Sequence, residues 1–137
     1  MTLPEYWFGP PPVLADNERW ITHLAANRSQ GKRAVGGGLH LSTHRLLFTP
    51  NLIDATLGGK SWACARPEIA SVGIEPGRFS PLELFSGGLY DRLRVDLTDG
   101  RRELFVVADP KQRAATLREL LQAPEPGAEL PVARVIK

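Results

Sequence analysis

Cysteine is nearly absent: Cys64 stands alone, which excludes an internal disulfide and fits a reducing compartment. Long apolar runs are missing as well. The opening Met1-Thr2-Leu3-Pro4-Glu5-Tyr6-Trp7 has neither the basic start nor the unbroken apolar stretch of a signal peptide, and no later segment could span a bilayer. The expectation is a soluble, cytoplasmic chain whose membrane contact would be peripheral, at the inner face. Histidine is scarce, and no carboxylate or cysteine stands at a metal-ligand spacing from His23, His40 or His44. His40 should point outward from a strand and His44 should sit in a turn, so no metal is expected. The chain also lacks a Gly-x-Ser-x-Gly, a Cys–His arrangement and a carboxylate pair. No enzymatic activity and no cofactor are expected, and Cys64 reads as a small packed residue with no base beside it.

Carboxylates are absent between Glu18 and Asp54, where Arg19, Arg28, Lys32, Arg33 and Arg45 lie. Elsewhere twelve basic residues face fifteen acidic ones, so this region is the positive pole of a mildly acidic body. A net charge of +2 is too small to argue for nucleic acid. Arg-rich, Lys-poor usage suggests a bacterial, GC-rich source.

At 137 residues the chain is long enough for one core without metal or disulfides. Residues 1–18 form an aromatic, proline-rich arm, with Tyr6, Trp7 and Phe8 ahead of Gly9-Pro10-Pro11-Pro12. Asp16-Asn17-Glu18-Arg19 is a polar turn. Period-two alternation then predicts strands over Trp20–Ala25, over Lys32–Ser42 and from Arg45 to Thr49, with Asn27–Gly31 a loop by composition. Gly36-Gly37-Gly38 inside the second strand suggests a bulge or the bend of a barrel corner. Thr43-His44 would be a two-residue turn, with some strain from positive φ. Pro50–Lys60 reads as a loop whose Leu52, Ile53 and Leu57 tuck under the barrel. Strands follow at Ser61–Ala65 and Ile69–Ile74, separated by Pro67.

Ser80-Pro81-Leu82-Glu83 is a capping box with proline at the first helical position, and Gly87-Gly88 a stop, so a short apolar helix carrying Leu82, Leu84 and Phe85 is expected. Asp99-Gly100 marks a hairpin. A two-residue loop there would set Val95 against Leu104 and Leu93 against Val106, whereas a bulged turn would pair Asp96 with Arg102; the first register promises more burial. Asp109-Pro110-Lys111-Gln112 opens a helix with the apolar stripe Ala114, Leu117, Leu120 and Leu121. Residues 124–137 form a tail that could add a strand to an edge. Seven strands precede the closing helix.

The stretch Gly37-Gly38-Leu39-His40-Leu41-Ser42-Thr43-His44-Arg45-Leu46-Leu47-Phe48 resembles the core hairpin of the GRAM domain, Gly-x-Leu-x-Leu-[Ser/Thr]-x-x-Arg-Leu-x-Phe, with Ser42 where the family usually has Thr. The likeness continues in Ser61-Trp62 and in Glu68-Ile69-Ala70-Ser71-Val72. GRAM domains are pleckstrin-homology (PH)-like. The resemblance therefore implies a mainly β (α+β) fold over residues 19–123: a seven-stranded antiparallel, partly open barrel capped by a C-terminal α-helix. It also implies a binding module. Many PH-like domains hold anionic lipid headgroups through the loop joining the first two strands, here Arg28, Lys32 and Arg33, with Arg45 nearby in the basic stretch. The basic pattern does not continue at Val35. The preferred expectation is therefore protein–protein contact or self-association, a homodimer included, through Tyr6, Trp7 and Phe8 and through Leu82, Leu84 and Phe85. Peripheral binding to an anionic membrane is the alternative.

Overall fold

The computed structural model describes residues 13–31, 33–77 and 90–122. Seven strands and two helices follow in order: β1 (Trp20–Gln30), β2 (Arg33–Ser42), β3 (Arg45–Pro50), α1 (Leu52–Thr56), β4 (Trp62–Ala65), β5 (Ile69–Glu75), β6 (Arg92–Leu97), β7 (Arg102–Val106) and α2 (Pro110–Gln122). The sheet is antiparallel throughout, in the order β4-β3-β2-β1-β7-β6-β5. Two pairs, Asn27↔Val106 and Arg28↔Phe105, join β1 to β7 and so connect the first four strands to the last three.

The sheet curls around one core. Phe48 of β3 and Phe105 of β7 lie three places apart in the sheet, about 14 Å on a flat one. Their ring centroids are nevertheless 5.9 Å apart, and Trp62 of β4 reaches Phe105 at 5.8 Å. Leu39, Leu41, Leu46, Phe48, Leu93, Val95 and Phe105 are all at most 1% exposed. Each such side chain contributes about 2 kcal/mol from burial. α2 lies on β5 and β6 and buries Ala114 and Leu117, with Leu120 and Leu121 partly covered, as its stripe predicts.

Several local expectations are corrected. Asn27–Gln30 is strand rather than loop: it pairs with Arg33–Gly36, and the chain reverses at Gly31 with φ +62. Gly36, Gly37 and Gly38 sit in unbroken register against β1, and the irregularity falls at Trp20/Thr22 instead. What Gly37 supplies is room, since a Cβ there would lie 2.1 Å from the Thr49 carbonyl oxygen.

The Thr43-His44 turn carries no positive φ; among the described non-glycine residues that conformation falls on Asn17 and Asp109. Ser42 Oγ closes the turn by accepting from the amides of His44 (3.1 Å) and Arg45 (3.0 Å), so no left-handed residue is needed. Within the expected Pro50–Lys60 loop Asn51 caps a short helix, its Oδ1 accepting from Asp54 N at 2.7 Å. Ile53 and Leu57 are exposed there rather than tucked under the sheet.

The β6–β7 hairpin takes the bulged register. Asp96 pairs with Arg102, and Leu93 with Phe105, across a turn in which Gly100 adopts φ +90. That register sends Phe105 into the core, which outweighs burying Leu104 and Val106. The expected helix with Leu82, Leu84 and Phe85, residues 1–12 of the arm with Tyr6, Trp7 and Phe8, Lys32 and the tail all lie outside the described residues.

Candidate functional site

Arg28 and Arg33 flank the β1–β2 turn on paired strands, Arg33 opposite Gln30 and Arg28 opposite Val35. Arg28 Nε donates to Glu103 of β7 at 2.9 Å, with both side chains 14% exposed. Arg33 donates to Asp54 Oδ1 at 3.1 Å and to the Leu57 carbonyl, while Asp54 Oδ2 accepts from Gly36 N. These links tie the turn to α1 and β7. Arg45 stands at the other end of β2, about 30 Å of strand away, so it does not join the other two.

Arg45 belongs to a different cluster. Its Nε donates to Glu18 at 2.8 Å, and Glu18 also accepts from Ser42 Oγ and from Ala15 N (2.9 Å). Burial works to raise the Glu18 pKa, but hydrogen bonds from Arg45, Ser42 and Ala15 outweigh it and hold the carboxyl down at about 2. The Ser and Arg of the hairpin motif thus meet on one buried carboxylate. Sequence reasoning missed Glu18, Asp54 and Glu103; each is remote in sequence from its arginine, and no spacing rule links them.

His40 lies on the face opposite Leu39 and Leu41, as alternation predicts, yet it is only 4% exposed. Its cross-strand partner is His23. The two Nδ1 atoms are 2.6 Å apart, and His40 Nε2 lies 3.0 Å from Thr49 Oγ1 of β3. Trp20 packs near both rings, at 5.3 and 5.5 Å. Burial lowers the pKa of both histidines, that of His40 to about 4 with the neighbouring His23 adding to the effect.

Cys64 is buried, and burial, followed by nearby Glu68, pushes its thiol up to about 11; it is protonated at neutral pH and a poor nucleophile. A groove of about 320 Å³ runs between β5 and α2, lined by Ile69, Val72, Arg66, Arg118 and Leu121. Arg118 crosses it to donate to the Val72 carbonyl (2.8 Å), and Arg66 reaches the Leu120 carbonyl at the end of α2 (3.1 Å). A shallower hollow of about 670 Å³ lies between Val13-Leu14-Ala15 and β4.

A seven-stranded antiparallel open sheet closed by a C-terminal helix is the PH-like fold. Solved structures agree. The C-terminal domain of an unknown protein from Leishmania infantum is similar with a TM-score of 0.58 and 13% identity, over 79% of this chain and 88% of that one. The hSac2 domain of the human phosphoinositide phosphatase Sac2 gives 0.53 and 17%, over 80% and 71%. The Vps36 N-terminal PH domain gives 0.51 and 16%, over 82% and 88%. No family model matches the chain, and no curated protein sequence does. Among the described residues no helix is long and apolar enough to cross a membrane.

Proposed function

We propose that the chain is a non-enzymatic PH-like interaction module of GRAM type that mediates protein–protein contact or self-association. The observation that carries this over headgroup binding is the ion pairing of the basic candidates. Arg28, Arg33 and Arg45 each hold a carboxylate of their own chain, and Arg45 stands apart from the other two. A multivalent phosphate would compete with Glu103 and Asp54 for the β1–β2 arginines, each of which already pairs with a partly buried carboxylate. The protein-contact reading is supported by where apolar side chains meet water. Val13 is 88% and Leu14 37% exposed directly after the Pro10-Pro11-Pro12 run of the arm, and Tyr90 is 64% exposed directly after the apolar segment with Leu82, Leu84 and Phe85. Both proposed contact segments therefore adjoin exposed apolar surface.

Co-sedimentation with anionic and neutral vesicles, at low and moderate salt, tests the reading alongside light-scattering mass of the free protein. The expected result is no anion-dependent sedimentation and a mass that rises with concentration. Salt-sensitive binding to anionic vesicles, lost on joint replacement Arg28→Gln, Lys32→Gln and Arg33→Gln, would overturn it in favour of a lipid module.

A further inference from the structure

We propose that the groove between β5 and α2 is a docking site for the chain's own C-terminal tail, held through Glu125, Glu129 and Leu130. The groove, about 320 Å³, sets Ile69, Val72 and Leu121 beside two arginines, and no carboxylate lines it. Those two arginines differ from their fellows. Arg28, Arg33, Arg45, Arg94, Arg101 and Arg102 each reach a carboxylate of the chain. Among the described residues Arg66 and Arg118 reach only main-chain carbonyls, those of Leu120, Leu121 and Val72. Arg66 Nη1 is moreover buried and has no hydrogen-bond partner there. A buried guanidinium donor left unmatched is costly, and a carboxylate is the acceptor that matches both its charge and its fork.

The tail carries that chemistry to that place. Gln122, which lines the groove, is the last described residue, and residues 123–137 follow it. Glu125 stands within about 10 Å of chain from Gln122, and Glu129 within about 25 Å. Arg66 already touches the end of α2, and Arg118 lies one turn back, about 6 Å along the helix, so both are in reach. Pro126-Gly127, between the two glutamates, is a turn signal that permits reversal onto the groove. Leu130 and Val132 follow as apolar partners for Ile69, Val72 and Leu121. The contact is made by side chains rather than by an added strand. Arg118 and Arg94 occupy the Val72 and Ile74 carbonyls of the β5 edge, and Pro124, Pro126 and Pro131 lack the amides that a strand would donate. A tether this short gives an effective concentration on the order of a millimolar, so an intrinsic affinity of about 0.1 mM keeps the groove about nine-tenths filled. The docking is independent of the self-association proposed above, which uses other segments.

A fluorescent peptide of residues 123–137, titrated into the full chain and followed by anisotropy, tests the docking. The charge-reversed chain Glu125→Lys, Glu129→Lys is altered only in the tail, and with its groove freed it should bind the peptide one to one. The natural chain should bind the peptide about tenfold more weakly, because its own tail competes. Adding Arg118→Met to the charge-reversed chain should weaken binding by at least about tenfold while the far-ultraviolet spectrum stays native. No binding to the charge-reversed chain would overturn the docking, as would undiminished binding after Arg118→Met. Equal binding to the natural and charge-reversed chains would overturn it too, leaving the groove open to a foreign acidic peptide. A light-scattering mass that falls on charge reversal would do the same, since the occupant would then be the tail of a second copy.

Discussion

Glu18 has a 1% exposed side chain that accepts from three residues, and its partners begin three residues before it and end twenty-seven after. A carboxylate with an ordinary pKa of 4.5 and a folded value of about 2 stabilises the fold by about 3 kcal/mol above pH 4.5. That contribution is lost as pH falls from 4.5 towards 2, because the unfolded chain binds the proton first. His40 acts in the window above. Its folded pKa of about 4 lies below the ordinary 6.5, so stability is full above pH 6.5 and declines as pH falls through that range. Urea unfolding from pH 7 to pH 3 should therefore show a two-stage loss. Glu18→Gln should remove the lower stage and lower stability by about 2–3 kcal/mol at pH 7, and His40→Gln should flatten the upper stage. Alternation identified the side of β2 on which His40 stands but not that the side was covered, since burial of an outward face depends on other strands.

At the scale of the element, the β2–β3 hairpin and its flanks were readable, and the details were decided by close approach. Gly37 lies where the β3 backbone occupies the space of a Cβ, while the atoms near a Cβ at Gly36 are side-chain ends of Asn27, Asp54 and Asn51 at 3.0–3.2 Å. Gly37→Ala should cost about 2 kcal/mol or more and exceed Gly36→Ala, as thermal melts would record. Gly100 presents the opposite case: nothing stands within 4 Å of its Cβ position, but φ is +90. Gly100→Ala should cost about 1–2 kcal/mol from backbone strain alone, and Gly100→Asn less. The Asp99-Gly100 pair announced a turn; its bulge was settled by Phe105 seeking the core. The β5 edge shows a further device invisible to pattern. The Val72 and Ile74 carbonyls accept from Arg118 and Arg94, and Gly73 leaves room for the Arg94 guanidinium. Side-chain donors thereby cover an edge that would otherwise invite another strand.

For the whole molecule, closure depends on a two-pair β1–β7 junction and on α2 lying over β5 and β6. Arg118 links α2 to the sheet edge. Arg118→Met keeps its apolar stem but loses the bond, and should speed amide hydrogen exchange in α2 and β5 while leaving β2 and β3 unchanged, at a cost of about 1 kcal/mol. The basic pole read from the sequence is real as composition. In space Arg28, Arg33 and Arg45 of that pole are shared out among Glu103, Asp54 and Glu18, so the surface field is weaker than the charge count implies.

Periodicity, turn residues and the helix stripe determined the seven strands, their order along the chain and the closing helix, because those signals are local and repeat at the period of the element itself. Only the tertiary structure decided which arginine meets which carboxylate, that His23 faces His40, and which register brings Phe105 to Phe48. These outcomes depend on chain segments brought together by the curl of the sheet, and no local spacing encodes that curl.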